Sequence, residues 1–205
     1  MAALESHTPR STPKASKDPR PARTRGRIVQ ALGELLRSGE SVSVAAICTR
    51  GGVGRSTFYA HFGSVDDVAE LVVDEVFAEL GPRDARRRHE HELPGDVIAE
   101  LATRDLLAAL REKREFFLYV LAGPSTLRLR EHVFAALATS VRDAVRAERP
   151  ADDDATIRTA SSFIAGGLVA LLVDIVVHGD VDDERIVRLM VDLLPTWLAR
   201  PQTSR

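Results

Sequence analysis

Apolar residues recur along this 205-residue chain at spacings of three and four, the period of a helix with one buried face. Between Ala22 and Arg37 the set is Ile28, Val29, Ala31, Leu32, Leu35 and Leu36, and Ser38-Gly39 stops it. A short amphipathic piece follows from Val44 to Thr49, with Ser43 placed to cap it. Arg50-Gly51-Gly52 turns the chain, and a second short helix is expected from Arg55 to His61. Ser64 then caps a longer helix with Asp66 and Asp67 in its first turn, running through Val68, Leu71, Val72, Val76, Phe77 and Leu80 to Gly81-Pro82.

Arg83 to Glu92 is polar and Arg-rich and reads as a loop, with Arg86-Arg87-Arg88 solvated. Beyond it the period predicts helices over Asp96–Lys113, Glu115–Leu121, Ser125–Glu148, Asp154–His178 and Asp183–Ala199, the last kinked or shortened by Pro195. No segment sustains strand alternation, no Gly-rich nucleotide loop follows a strand, and no internal repeat is present. The expected fold is all-α with about nine helices. A three-helix helix-turn-helix domain spans 21–81 (motif 43–62), and a larger helical domain spans 95–200. Residues 1–20 are rich in proline, hydroxyl and basic residues, with little to bury, and read as a disordered basic tail.

Composition agrees with helices: aromatics are 5% while hydrophobic residues reach 44%, enough for a core. A single cysteine, Cys48, excludes an internal disulfide and a zinc-thiolate cluster, and its place on a short apolar helix makes it core. No signal-type segment opens the chain. The longest uncharged run, Thr159 to Val173, is 15 residues and is closed by Asp174, short for a bilayer span. A cytoplasmic protein without a membrane partner is expected.

Charge divides the chain. The net −2 is the sum of +6 over residues 1–65 and −8 over residues 66–205. A basic N-terminal third on an acidic body fits a nucleic-acid-facing module joined to something else, or a basic tail with no partner.

Ser43 to Phe62 carries the sharpest chemistry. Two short helices around a glycine turn are the minimum device for placing one helix in the major groove. Ala45, Ala46 and Ile47 keep the first slim, Gly52 supplies the positive φ of the turn, and Val53 and Phe58 plug the core beneath. Arg55, Ser56, Thr57, Tyr59 and His61 are left on the outer faces, where arginine pairs with guanine and hydroxyls reach phosphate or base edges. The same spacing also suits an ordinary helical hairpin.

Residues 23–80 resemble the N-terminal DNA-binding domain of the TetR/AcrR family of regulators. The resemblance rests on Arg27-Ile28, Leu35-Leu36, Gly39, Val42-Ser43-Val44, Ile47, Gly52-Val53 and above all Ser56-Thr57-Phe58-Tyr59-Ala60-His61-Phe62. It implies that Ser43 and Thr57 bond phosphates, that Arg55 and Ser56 approach base edges, and that Tyr59 and His61 grip the backbone of one half-site. Three positions depart from the family pattern. Gly51 stands where alanine is usual, Gly54 where a serine cap is common, and Val65 where lysine commonly holds a phosphate. The last change removes a salt-sensitive contact rather than sequence choice.

Asp154–His178 and Asp183–Ala199 are the most apolar helices. The first carries Ile157, Phe163, Ile164, Leu168, Leu171, Leu172, Ile175 and Val176, and Gly166-Gly167 would admit a second backbone closely. Such helices fill a monomer core or a subunit interface. The resemblance implies the latter, a homodimer formed through these two helices. It also implies an unknown small-molecule effector bound by the aromatic-rich middle of the chain, for which Phe117, Tyr119, His132 and Phe163 are the candidates, although an aromatic at helical spacing is more often core.

No serine, cysteine or carboxylate pair comes with a base and an orienting partner, so no enzyme and no cofactor is expected. His89-Glu90-His91 lacks zinc spacing and a third ligand, and Asp152-Asp153-Asp154 reads as a helix start. The expected function is a sequence-specific DNA-binding regulator, a repressor released from a palindromic operator by its ligand. The alternative is a helical small-molecule-binding or scaffold protein without DNA activity.

Overall fold

The computed structural model describes residues 20–90, 93–123, 127–179 and 182–199, and every regular element among them is a helix. The expected all-α class holds, with ten helices among the described residues rather than about nine. The basic tail ahead of Arg20, together with His91, Glu92 and Ser125, lies outside them.

Three helices build the N-terminal end. In α1 (Arg20–Arg37), Ile28, Ala31, Leu32 and Leu35 turn inward, and Gly39 at φ 68° carries the chain out of it. α2 (Val44–Gly51) starts on Ser43, whose Oγ accepts the Ala46 N–H at 3.1 Å. It ends on Gly52 at φ 59°, and the Val53 N–H returns to the Cys48 carbonyl at 3.0 Å. α3 (Arg55–Tyr59) is a turn and a half, held from below by the fully buried Phe58. It stops at Tyr59, so His61 follows the helix instead of ending it. Ile28, Ile47, Phe58 and Val68 are each 0% exposed, and burial of such side chains stabilises by roughly 1.5–3 kcal/mol apiece.

α4 (Val65–Glu90) corrects the sequence reading. The chain does not leave the helix at Gly81-Pro82 but continues to Glu90, so the expected Arg-rich loop is helical up to that residue. Pro82 costs one backbone hydrogen bond; one ion pair spans it and a second, more buried one holds the turn that follows. Arg83 pairs with Glu79 one turn back, and Arg88 Nε lies 2.9 Å from Asp84 Oδ2. Arg88 Nη1 lies 2.8 Å from Glu148 Oε1 and 3.5 Å from the Leu198 carbonyl oxygen. Arg88 is therefore buried rather than solvated. Arg87 Nη1 sits 2.8 Å from Asp105 Oδ2, close enough to attract although its angle does not suit a hydrogen bond. Of the three arginines only Arg86 is exposed.

α5 (Gly95–Glu112) and α7 (Leu127–Glu148) pack on α4, α7 also runs along α8 (Asp154–His178), and α6 (Arg114–Leu121) packs against α8 and α1. The aspartate triplet opens α8 as a helix start should. Asp153 Oδ1 accepts the Thr156 N–H at 2.7 Å, Asp152 pairs with Arg149 and Asp154 with Arg146. Backbone hydrogen bonding at Thr156 holds the Asp153 carboxyl below its ordinary pKa. The last predicted helix is two: α9 (Asp183–Leu193) and α10 (Thr196–Ala199), separated by extended Leu194 and by Pro195.

Candidate nucleic-acid interface and inner cavity

Arg55, Ser56, Thr57 and Tyr59 are exposed on α3, with Ser43 exposed beside them on the α2 cap and His61 half-buried after the helix. The structure therefore brings all six candidate residues onto α2–α3 and the turn that follows. Tyr59 is 58% exposed, and its ring stands edge-on to Phe58 with centroids 5.5 Å apart, so the buried ring fixes the exposed one. Among the described residues, the side chains of Arg55, Ser56, Thr57, Tyr59 and His61 make no hydrogen bond or ion pair within the chain. Their donors are free to meet another molecule. The charge of this stretch is positive: α1 to α3 carry arginines at 20, 23, 25, 27, 37, 50 and 55, and the two carboxylates between residues 20 and 62, Glu34 and Glu40, face Arg50.

The departures from the family pattern have local reasons. A Cβ on Gly51 would come within 3.3 Å of the Arg27 carbonyl, so glycine lets the end of α2 seat against α1. Gly54 caps α3 with backbone alone. Val65 is half-buried against the core and presents nothing to a phosphate.

α4 starts from this end of the molecule. Ser64 Oγ accepts the Asp67 N–H and donates to Asp67 Oδ1, while the Gly63 N–H reaches Asp67 Oδ2 at 2.8 Å. Those bonds, the Ser64 one first, hold the Asp67 carboxyl below its usual pKa. From α7, Arg128 clamps the same turn, 3.0 Å from Asp67 Oδ1 and 2.7 Å from Glu70 Oε1.

The other end of α4 lines an inner cavity of about 120 Å³, walled by apolar side chains of α5, α7, α8 and α9. None of the four residues nominated for ligand binding lines it. Phe117 is 1% exposed and packs edge-on against Phe116 in the core. Tyr119 is half-buried, its hydroxyl pushed up in pKa by burial and then by Asp66. His132 Nε2 lies 2.8 Å from Asp74 Oδ1. Phe163 is 82% exposed on the outside of α8, whereas its neighbour Ile164 faces the cavity. Asp84 and Arg88, which do line it, lie in the stretch read as a loop and gave no sequence signal.

Against solved structures the architecture is decisive. The chain has the fold of the TetR-family regulators. The TetR-family repressor FadR of Thermus thermophilus, solved with lauroyl-CoA, superimposes with a TM-score of 0.66 at 18% identity, over 88% of this chain and 96% of that one. The TetR-family repressor AlkX of a Dietzia species, implicated in n-alkane biodegradation, gives 0.55 at 16% identity, over 87% and 97%. The dihydroxyacetone kinase operon activator DhaS gives 0.60 at 17% identity, over 85% and 96%. Neither a protein-family model nor a curated protein matches the sequence. In this TetR-type fold, α8 is the one described helix long and apolar enough to cross a membrane, and a third of its apolar window is buried within the chain. Among the described residues, no three His, Cys, Asp or Glu side chains converge as a metal would need.

Proposed function

We propose that this protein is a TetR-family transcriptional regulator acting in the cytoplasm, a repressor that leaves a palindromic operator when a small molecule binds, rather than an enzyme. The observation that carries the reading is the set of exposed, unpartnered side chains on α3, held at fixed height by buried Phe58. Residues 21–81 form the DNA-reading domain and 95–200 the effector and dimerisation domain. Ser43 and Thr57 bond phosphates, Arg55 and Ser56 reach base edges, and Tyr59 and His61 grip the backbone.

One recognition helix of five residues reads too few base pairs for specificity. A second copy supplies the other half-site, about 34–36 Å away on the duplex. Exposed apolar side chains on α8 and α9 support that dimer: on α8 Phe163 is 82% exposed and Val177 45%, with Gly167 open beside Phe163's turn, and on α9 Leu189 is 47% and Leu193 71% exposed. Coupling runs through α4, which begins beside the recognition helix and ends at the cavity. An occupant that favours a tilted α4 would change the spacing of the two recognition helices, and only such differential affinity shifts the equilibrium.

Paired variants separate this reading from a binding module without DNA activity. Thr57→Ala with Tyr59→Ala should abolish retention of duplex DNA while helix content and dimer mass stay as in the parent. Retention equal to the parent's would contradict it.

A further inference from the structure

We infer that the inner cavity takes a compact apolar molecule bearing one cationic amine, and that Asp84 is the residue that reads the amine. The inference rests on the ligand-responsive reading above and deepens it. Phe77, Leu106, Leu137, Ile164, Met190 and Leu198 make the cavity apolar through most of its surface. Its charged groups are Asp84, Arg88 and Asp105, of which Asp84 and Arg88 form an ion pair.

The donors and acceptors there nearly balance. Arg88 donates through Nε to Asp84 Oδ2 and through Nη1 to Glu148. Asp105 Oδ2 faces Arg87, and Thr103 Oγ1 donates to the Ala99 carbonyl at 2.8 Å. Two carboxylate oxygens there, Asp84 Oδ1 and Asp105 Oδ2, are buried without a hydrogen bond, but Asp105 Oδ2 has Arg87 Nη1 2.8 Å away, which leaves Asp84 Oδ1 as the one to be met by a ligand. A buried carboxylate oxygen without a donor carries an unrecovered desolvation cost, which a donor brought by a ligand removes.

Charge selects the kind of donor. Asp84, Asp105 and Glu148 face Arg87 and Arg88, so the cluster carries one negative charge in excess. A carboxylate or phosphate ligand would add a second negative charge in an apolar setting, whereas an ammonium group neutralises the first and gains a charge-assisted bond. The volume, about 120 Å³, limits the occupant to one small ring, since an apolar cavity of about 150 Å³ holds benzene; because the cavity is not closed, a short arm need not be enclosed with the ring.

The test is calorimetric titration of the full chain, free of DNA, with benzylamine, benzyl alcohol and benzoate at neutral pH. Benzylamine should bind at least about tenfold tighter than benzyl alcohol, and benzoate should give no heat. Asp84→Asn keeps the side-chain size and an acceptor for Arg88, and should bring benzylamine down to the affinity of benzyl alcohol. A cooperative melt checks that this variant is folded, and the order of the three probes on the parent chain stands as a test without it. Benzoate or benzyl alcohol binding as tightly as benzylamine, no benzylamine binding, or a folded Asp84→Asn that keeps the preference would each overturn the inference. Because no DNA is present, failure here is distinct from failure of operator recognition.

Discussion

Arg27 of α1 donates through Nη2 to the Gly52 carbonyl at 2.7 Å, so the first helix holds the turn that aims the recognition helix. Gly52 has φ 59°, and a Cβ there would stand 2.7 Å from the same guanidinium nitrogen. Gly52→Ala should therefore cost roughly 1–2 kcal/mol from the left-handed backbone, and the displaced Arg27 should loosen the turn. Urea unfolding and duplex binding check both parts. An unchanged midpoint would mean that the left-handed conformation at position 52 does not require glycine.

Phe163 has almost no packing to lose within its own chain, so Phe163→Glu should leave the monomer folded and break the dimer. Sedimentation should read a mass near the 22.4 kDa of one chain, with parental helix content and much weakened operator binding. A dimer that survives the charge would place the interface elsewhere.

Arg88 meets Asp84, Glu148 and the Leu198 carbonyl, tying α4 to α7 and α10. Arg88→Ala leaves two partly buried carboxylates, Asp84 and Glu148, without their cation, and should cost up to about 3 kcal/mol, the lower end of the effect of removing one partner of a buried pair. Thermal or urea unfolding measures it. A loss below about 1 kcal/mol, the range of surface pairs, would make the contact a surface one.

Asp67 gives a pH dependence of known sign. Its carboxyl is held below its usual pKa of 3.8, by Ser64 first and then by the Gly63 N–H and Arg128. A depressed carboxyl contributes stability that is complete above the unfolded value and lost as pH falls through the folded one. Asp67→Asn should melt lower than the parent at pH 7, and the gap should close below about pH 4. A gap constant down to pH 2 would remove Asp67 from the acid limb.

Local signals made the N-terminal third legible. The Ser43 cap, the Gly52 turn and Phe58 act over a few residues, and the helix boundaries there shift little. The course of α4 past Pro82 was not legible, because Arg88 is held by Glu148 and the Leu198 carbonyl, 60 and 110 residues onward. A run of arginines looks solvated until its partners are placed. The effector candidates show the same limit: periodicity identifies Phe163 and Ile164 as apolar, but only packing decides which one faces the cavity and which faces out.

The most direct test of the central claim is selection from random duplexes by the purified protein at physiological salt, followed by sequencing of what is retained. The account predicts an enriched palindrome whose half-site centres lie about one helical turn or a multiple of it apart, lost when Thr57 and Tyr59 become alanine. Retention without an enriched sequence, or retention that vanishes at that salt, would mean that the positive charge around α1 to α3 attracts DNA without reading it, and would contradict the regulator account.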